Sequence, residues 1–596
     1  MPVLLSELVV FHYFSSMRTT LPFSSFDRLI SFPLLFISFA TLLATLFLGC
    51  RPNVPTYTAQ KSEIYSTAAI AGPHPLATEV GEMILKKGGN AIDAAVAVQF
   101  AMAVCYPRAG NLGGGGFLVY RAADGDTRTL DYREKAPAAA SRDMYLDDEG
   151  EVISDLSTLG HLAVGVPGTV AGIEAMFKEY GSLPWPELIE PAIQLARNGY
   201  RISQSEADRL NGFQEYFAQM NEQSPWMGDT FLVDQVIVQT ELAATLVRIQ
   251  ENGSQGFYQG ETARLITKEM EENGGLITAQ DLKNYTATWR DPVTANYDNY
   301  RIISMPPSSS GGVALTQLLG MVEPYALDSL GFQSAATAQL MVEAERRAYA
   351  DRAEYLGDSD FYPVPIGKLT DEAYLSERMA DFSPDSAGTS ADITAGAGLR
   401  KESFETTHIS IIDSLGNAVS ITTTLNGNFG SKVIVDGAGF FLNNEMDDFS
   451  AKPGVPNMFG LVGAEANAIA PGKRMLSSMT PTIVEKDGEL FMVLGAPGGS
   501  TIITAVFQTF LNVAEFGMSL DEAVNAPRFH HQWLPDEIMV EPDALGEQVK
   551  ATLAAKGYRF RDVGRMAVVK ALQVLPDGRL HAVGDGRNPD DDVAGY

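Results

Sequence analysis

The chain has 596 residues, enough for a large buried core, and length alone predicts more than one domain. Hydrophobic residues make up 45% of it and charged residues 20%, which excludes a chain that is disordered throughout. The 43 basic and 74 acidic residues give a formal net charge of −31, which argues against binding to nucleic acid or to anionic membrane surfaces.

The first fifty residues differ from the rest of the chain. Basic residues precede an almost uninterrupted apolar run over residues 29–49, which is typical of a secretion signal or an anchor helix, and the true start is Met1 or Met17. The run ends at Gly49-Cys50, which resembles the processing site of bacterial lipoproteins. An uncleaved anchor and ordinary cleavage near Pro52 are the alternatives. Each interpretation predicts an exported protein in the periplasm or at the cell surface, and lipidation or an uncleaved anchor would tether it to a membrane.

Two helices are predicted after a polar tether at residues 51–63. They run from Pro75 to Lys87 and from Asn90 to Tyr106, with Asn90 as the N-cap of the second. Cys105, in the second helix, is predicted to be a buried small hydrophobe. The only other cysteine is Cys50, so the sequence predicts no disulfide framework.

A β-hairpin is predicted next. Its strands are Gly116–Arg121, after the glycine run at 113–115, and Thr127–Tyr132, with Arg133 at the end. The glycine run lacks the following lysine and helix of a phosphate-binding loop, so we expect a tight turn or a close backbone approach. By itself, Arg133 is equally compatible with an exposed or ion-paired arginine.

The middle of the chain is predicted to be mostly helical, and it ends in a segment without periodicity. That segment, residues 382–404, is rich in Ser, Asp, Thr, Ala and Gly and is predicted to be a mobile loop directly before the Glu405–Thr406 bond. The other predicted elements are a strand-turn-helix at 165–180, helices over most of 185–276, a strand at 291–305, a loop at 306–312 and an amphipathic helix at 334–355 capped by Ser334.

The segment from Thr406 to Asn426 predicts a second hairpin, with one apolar face and one hydroxyl-rich face. If the turn is symmetric about Leu415, Thr406 and Thr424 lie opposite each other on the hydroxyl-rich face. A solvated threonine ladder is the alternative interpretation of this pattern.

Three further motifs are ambiguous from their residues alone. Gly498-Gly499 follows the strand Leu490–Leu494 and can present N–H groups to an oxyanion, but Pro-Gly-Gly is also a simple turn. The acidic cluster Glu445, Asp447 and Asp448 could bind a metal or form a solvated turn, and it lacks the stereotyped ligand spacing of a divalent-ion site. The adjacent His530 and His531 are predicted to pack structurally, because neighbouring strand residues point apart.

Thr406-Thr407-His408 and Thr424-Leu425-Asn426 resemble the start of the small subunit of the γ-glutamyltranspeptidases, which are N-terminal-nucleophile hydrolases. The resemblance covers roughly residues 66–596 and is densest between Thr406 and His531. It implies an α+β, αββα four-layer sandwich, with two stacked sheets between helical layers, built jointly by two subunits. The implied divisions are a signal or anchor segment (1–50), a large subunit (51–405, with the mobile loop at about 382–405) and a small catalytic subunit (406–596).

The resemblance also implies a mechanism. The precursor would cut its own Glu405–Thr406 bond, and the freed α-amino group of Thr406, with an ordinary pKa of roughly 7.7–8.0, would be the base that activates the Thr406 hydroxyl. Thr424 would orient that hydroxyl. The other implied roles are an oxyanion hole at Gly498 and Gly499, binding of the substrate α-carboxylate by Arg133, Ser477 and Ser478, binding of its α-ammonium by Asn426, Glu445 and Asp448, and a lid at 453–473 with Phe459 where several bacterial members have Tyr.

The implied reaction is cleavage of glutathione or another γ-glutamyl compound through an ester on Thr406, with transfer to water, an amino acid or a peptide. No cofactor or metal is implied. A cephalosporin or glutaryl acylase of the same family is an alternative, but such enzymes handle acyl groups without an α-ammonium. A surface-tethered binding protein that never matures is a further alternative, against which the complete set of Thr406, Thr424 and both glycines argues.

Overall fold

The structure is a computed structural model that describes residues 54, 57–228, 230–391 and 406–596. Cys50, the apolar run at 29–49, Glu405 and most of the predicted mobile loop lie outside these residues. Within the described ranges, no helix combines the length and the apolar character needed to cross a bilayer.

Fourteen of the nineteen strands in the described residues belong to two seven-stranded antiparallel sheets. The strands are β1 (Ser62–Tyr65), β2 (Ala69–Gly72), β3 (Gly115–Arg121), β4 (Thr127–Asp131), β5 (Tyr200–Arg201), β6 (Val236–Ile237), β7 (Thr288–Arg290), β8 (Val293–Tyr297), β9 (Tyr300–Ser304), β10 (Thr407–Ile412), β11 (Ala418–Thr424), β12 (Thr482–Lys486), β13 (Glu489–Gly495), β14 (Phe529–His530), β15 (Ile538–Val540), β16 (Phe560–Asp562), β17 (Lys570–Val574), β18 (Leu580–Gly584) and β19 (Asp592–Gly595).

Seventeen α-helices cover the sheets in the described part of the chain. They are α1 (Pro75–Lys86), α2 (Ala91–Cys105), α3 (Thr169–Tyr180), α4 (Trp185–Asn198), α5 (Gln204–Met220), α6 (Thr240–Asn252), α7 (Gln255–Tyr258), α8 (Gly260–Asn273), α9 (Ala279–Asn284), α10 (Gly311–Val322), α11 (Leu327–Leu330), α12 (Ala335–Tyr355), α13 (Ile366–Leu369), α14 (Glu372–Arg378), α15 (Ile502–Ala514), α16 (Leu520–Asn525) and α17 (Glu547–Ala555).

The two sheets stack face to face between two helical layers. Sheet I has the strand order β19-β2-β10-β11-β3-β4-β7, and sheet II the order β1-β18-β17-β13-β12-β9-β8. Helices α1 to α3 pack on one face of sheet I, and α10, α15 and α16 pack on the outer face of sheet II. Helices α4 to α6 and α12 extend the same two apolar clusters. A smaller apolar cluster lies between the sheets. This is the αββα sandwich that the resemblance implied, and residues 54–596 form one compact unit rather than the several domains predicted from length.

The predicted hairpin is β10–β11, at the centre of sheet I. Its apolar side chains, such as Ile409 and Ile421, face the helical layer. Its hydroxyl-rich face is buried against sheet II, where Ser410 donates to the carbonyl of Val493 at 3.3 Å and Ser420 donates to that of Leu494 at 3.1 Å. The solvated threonine ladder is therefore wrong, because this face meets a second sheet instead of water.

Several early elements have the predicted form. α2 begins after Asn90, whose side chain forms a capping box with Asp93, and Cys105 at its end is fully buried. β3 and β4 pair as the first predicted hairpin. Ser334 caps α12 by accepting a hydrogen bond from the backbone N–H of Thr337.

Other elements differ from the predictions. The strand expected near Gly165 is a single bridge between Val166 and Lys135, and the strand expected at 291–305 is the hairpin β8–β9. α12 is not amphipathic, since residues 337–353 are all buried and their charges pair inside the protein, as Arg347 does with Glu343 at 2.6 Å. Residues 382–391 are anchored, because Ser390 is buried and its hydroxyl donates to the carbonyl of Trp533 at 2.6 Å.

Candidate active site

The turn of the central hairpin is tied to the helical layer by Asp413. Its Oδ1 accepts hydrogen bonds from the backbone N–H groups of Leu415, at 2.9 Å, and Asn417, at 3.0 Å. Its Oδ2 accepts from the N–H of Ala91 at 2.9 Å, at the start of α2. The turn and the first turn of α2 therefore hold each other in place, which fixes the position of both strands.

The hairpin register brings Thr406 and Thr424 together. Thr407 pairs with Thr423 and His408 with Thr422, which is the symmetric register predicted about Leu415. Thr406 immediately precedes β10, is 6% exposed, and its Oγ1 lies 3.5 Å from Thr424 Oγ1.

Hydrogen bonds fix both the side chain and the backbone of Thr424. Its Oγ1 accepts a hydrogen bond from the backbone N–H of Asn426 at 2.7 Å, and its carbonyl accepts from Asn111 Nδ2 at 2.9 Å. A Cβ at Gly114 would collide with that same carbonyl, which confirms the close backbone approach predicted for the glycine run. The Thr424 hydroxyl is consequently a fixed group beside Thr406.

Most of the predicted site residues line one cavity. Gly498 is absent from its wall and instead lines a neighbouring cavity that also contains Thr406. Glu445 is fully buried behind the wall. The predicted residues that line the cavity are Arg133, Thr406, Thr424, Asn426, Asp448, Phe459, Ser477, Ser478 and Gly499.

Arg133 lies at the centre of a buried charge cluster. Its Nη1 is 2.5 Å from Glu445 Oε2 and 3.6 Å from Glu134 Oε2, and its Nη2 donates to Asp448. Burial by itself would lower the pKa of Arg133, but Glu445 and Asp448 outweigh it and raise that pKa. Arg133 therefore carries a fixed positive charge in the cavity wall.

The three carboxyl groups around Arg133 share one cation and are poorly solvated. Burial raises the pKa of Glu134 to about 8, with Arg133 opposing the shift. Burial likewise raises the pKa of Glu445 well above its usual value, while the positive charge of Arg133 acts in the opposite direction. Asp448 shows the same raised pKa from burial, and its Oδ1 also accepts from Asn457 Nδ2 at 3.1 Å.

The two predicted serines lie in the cavity wall and are fixed by a network that the sequence did not indicate. The Ser477 carbonyl accepts from the backbone N–H of Ser310 at 2.8 Å. The Ser478 hydroxyl accepts from Arg352 Nη2 at 3.2 Å, and Arg352 Nε donates to Ser310 Oγ at 3.0 Å. Arg352 belongs to the buried helix α12, and its position in a run of charged residues was the only signal that could have identified it.

The paired glycines lead from β13 into the N-terminus of α15. Gly498 has φ +147° and Gly499 has φ +54°, conformations that favour glycine. A Cβ at Gly499 would lie 2.5 Å from Phe459 Cδ1, so the Phe459 ring covers this residue. The positive end of a helix directly after these N–H groups suits a developing negative charge.

The remaining predicted residues have structural surroundings. The Asp447 carboxylate accepts from Ser157 Oγ at 2.6 Å and from the N–H of Met458 at 2.9 Å. His530 and His531 are buried and point apart, to Thr504 at 2.8 Å and to Asp536 at 3.3 Å. Over residues 54, 57–228, 230–391 and 406–596, no three His, Cys, Asp or Glu side chains are grouped in a way that could hold a metal ion.

An αββα sandwich with a threonine at the head of a central strand, beside a polar cavity, defines the class of the N-terminal-nucleophile hydrolases. Within that class, the chain belongs to the γ-glutamyltranspeptidase family, whose sequence model matches residues 77–595.

Known proteins support this assignment. The chain is 47% identical over 531 residues to a glutathione hydrolase proenzyme of Escherichia coli (strain K12), covering 88% of this chain and 91% of that protein. The crystal structure of Helicobacter pylori γ-glutamyltranspeptidase matches with TM-score 0.53 and 44% identity over 59% of this chain and 99% of that chain. A cephalosporin acylase from Bacillus halodurans matches with TM-score 0.78 and 25% identity over 92% of this chain and 99% of that chain.

Proposed function

We propose that the chain is a precursor that cuts itself between Glu405 and Thr406. The mature enzyme then transfers γ-glutamyl groups from glutathione and related compounds to water, amino acids or peptides. The observation that carries this proposal is that a single cavity contains Thr406 together with one buried cation, Arg133, and one carboxyl group, Asp448.

The proposed nucleophile is the Thr406 hydroxyl. A threonine hydroxyl needs a base, and the α-amino group freed by cleavage supplies one with an ordinary pKa of roughly 7.7–8.0. Thr424 Oγ1, fixed by the N–H of Asn426, is the proposed group that orients the Thr406 hydroxyl during both cleavage and turnover.

The proposed oxyanion hole consists of the N–H groups of Gly498 and Gly499. Attack on the γ-carbonyl produces a tetrahedral intermediate whose oxygen carries the negative charge. Both glycines border cavities that contain Thr406, and a 3₁₀ turn at Gly499–Thr501 leads from them into α15. Collapse of the intermediate releases the amine and leaves the γ-glutamyl ester on Thr406.

The cavity wall suits an α-amino acid zwitterion. Arg133 and Asp448 are ion-paired with each other, so a substrate that brings both a carboxylate and an ammonium replaces that pair with two new ones. Ser477 and Ser478 add hydroxyl groups for the carboxylate, and Asn426 adds an amide oxygen for the ammonium. Glu445 forms an ion pair with Arg133. It can therefore hold Arg133 in place, or it can add negative charge near the substrate ammonium.

The acylase alternative fits this wall less well. A glutaryl group has a carboxylate for Arg133 but no ammonium for Asp448, which would then lose its partner inside a buried site. A non-maturing binding protein needs no fixed hydroxyl beside Thr406. Neither alternative is favoured by a specific contact in the cavity.

The proposed cleavage yields a large subunit ending at Glu405 and a small subunit of residues 406–596 that stay together. We also propose export, with a tether either through a lipid on Cys50 or through an uncleaved helix at 29–49. Mass spectrometry of the membrane fraction distinguishes the two tethers from a fully processed soluble form.

The first experiment measures the intact mass and N-terminal sequence of purified wild type and of Thr406→Ala. The proposal predicts two fragments with a new N-terminus at Thr406 in the wild type and a single chain in the variant. A wild-type chain that stays whole would overturn the mechanism. The mature enzyme is then assayed with a γ-glutamyl anilide and a glutaryl anilide, and a preference for the glutaryl compound would favour the acylase.

A further inference from the structure

A second cavity adjoins Thr406 next to the one described above. It shares Thr406 with the first cavity but contains Gly498 where the first contains Gly499. The two cavities therefore border the same nucleophile, and each contains one of the two glycines. A group bound in the second cavity would be adjacent to the carbonyl carbon attached to Thr406.

Three cationic side chains line this second cavity, and they differ in the groups with which they interact. Lys570 is fully buried and pairs with Asp591 at 3.0 Å. Arg108 stacks on the ring of Tyr106, 4.5 Å from its centroid.

Arg565 is the cation that is positioned to receive a ligand. It is half-buried, and its Nη1 donates to the backbone carbonyl of Arg587 at 3.0 Å. In the ranges that the structure describes, no Asp or Glu carboxylate forms an ion pair with it. The single hydrogen bond orients the guanidinium and leaves its other donors for a planar anion such as a carboxylate.

We propose that the second cavity binds the amine side of the reaction, and that Arg565 binds the carboxylate of that amine. The amine side means the amino acid or dipeptide that leaves the donor, and equally the amino acid or dipeptide that accepts the γ-glutamyl group. This inference rests on the proposed function and adds a subsite to it.

One cavity serves both amines because release and transfer follow the same path in opposite directions. In release, the C–N bond breaks, the Thr406 α-ammonium gives its proton to the departing amine, and the acyl group stays on Thr406 Oγ1. In transfer, the neutral acceptor amine attacks the ester carbon, its proton passes to the Thr406 α-amino group, and the C–O bond breaks as Thr406 Oγ1 regains a proton. Both amines therefore occupy the same position beside Gly498.

The test compares two donors and two acceptors in wild type and Arg565→Gln. Glutathione carries a carboxylate on its leaving group, whereas γ-glutamyl-p-nitroanilide does not. Glycylglycine carries a carboxylate as acceptor, whereas glycylglycine amide does not. A hydrogen-bonded ion pair of this kind corresponds to about tenfold or more in affinity.

We expect the ratio of kcat/KM for glutathione over the anilide to fall about tenfold or more in Arg565→Gln, and the preference for glycylglycine over its amide to fall equally. Arg565→Lys should restore part of both ratios. Arg579→Gln, which changes an exposed arginine that lines neither cavity, should keep the wild-type ratios.

Unchanged ratios in Arg565→Gln would overturn the inference while leaving the proposed function intact, since the anilide reports the γ-glutamyl chemistry separately. Absence of anilide cleavage in the wild type would instead overturn the proposed function. The wild-type enzyme also provides a test by itself. Equal acceptor KM values for glycylglycine and glycylglycine amide would overturn the inference.

Discussion

Thr406 Oγ1 faces Thr424 Oγ1 across the central hairpin at 3.5 Å, and the N–H of Asn426 fixes Thr424 from the other side. Because that N–H occupies one lone pair of Thr424, the orientation of the hydroxyl is restricted. The pair is therefore a preorganised unit, and it should contribute to self-cleavage as well as to turnover.

Removal of the Thr424 hydroxyl tests this unit. Thr424→Ala should slow the appearance of the two fragments by about tenfold or more, because the nucleophile loses its positioning hydrogen bond and Asn426 loses its acceptor. Thr424→Ser keeps the hydroxyl and should cleave at nearly the wild-type rate. The measurement is a time course of fragment formation on denaturing gels. Equal rates for Ala and Ser would show that the hydroxyl is dispensable.

The charge cluster around Arg133 predicts a separation of stability from activity. Arg133→Gln leaves Glu445 buried without its cation and should lower the free energy of unfolding by about 3 to 5 kcal/mol. The double variant Arg133→Gln/Glu445→Gln removes both charges and should recover much of that loss. Neither variant should bind the donor well, so the donor KM should stay high in both. Recovery of a low KM in the double variant would contradict the role proposed for Arg133.

Gly499 should tolerate no side chain while Phe459 covers it. Gly499→Ala places a Cβ 2.5 Å from Phe459 Cδ1 at φ +54°, and displacement of the N–H should lower kcat by about a hundredfold to a thousandfold. Phe459→Ala in the same chain should recover part of kcat by removing the collision.

Gly488→Ala is the matched control for the Gly499 variant. It has φ +86° on the turn between β12 and β13, and a Cβ there would meet no atom within 4 Å. It should therefore lower stability slightly without changing kcat. A comparable loss of kcat in this control would mean that backbone strain, and not the contact with Phe459, explains the result.

The buried His530 predicts an acid-sensitive fold. Burial is the main cause that lowers its pKa from 6.5 to about 3. The unfolded chain therefore binds a proton that the folded chain refuses, so stability should fall as the pH falls from about 6.5 toward 3. His530→Asn should reduce the slope of the unfolding free energy against pH by about one proton in this range. Denaturant titrations between pH 4 and 7 measure that slope, and parallel curves for the two proteins would refute the assignment.

The sequence predicted local geometry well where the determining residues are close together. The symmetric turn at Leu415 gave the register of β10 and β11, and Asn90 gave the start of α2, because each depends on a few neighbouring residues. The alternation of apolar and hydroxyl-bearing residues identified the two faces of the hairpin, but it did not show what each face packs against. The hydroxyl face meets β13 and β17, which lie far along the chain, so no local pattern could distinguish sheet from solvent.

The site itself could not be assembled from local patterns. Arg133 and Asp448 meet across 315 residues, and Ser478 meets Arg352 across 126. The resemblance supplied the first association, whereas Arg352 had no motif of its own. The charges of α12 predict an amphipathic helix because they resemble a solvent-exposed face. Some of them instead pair within the buried helix, as Arg347 does with Glu343, and others pair with distant segments, as Arg346 does with Asp536.

The strand order of the two sheets has a consequence for how the molecule is made. Strands β1 to β9 precede residue 405, and β10 to β19 follow it. In sheet I, β2 lies between β19 and β10. In sheet II, β1 and β9 flank the strands from β18 to β12, so both sheets combine strands from before and after residue 405. Neither fragment contains a complete sheet of its own. A single continuous chain can bring these strands together before the proposed cut. We therefore expect the two proposed fragments to elute as one particle under native conditions, to separate only on denaturation, and to fail to reassemble when they are synthesised apart.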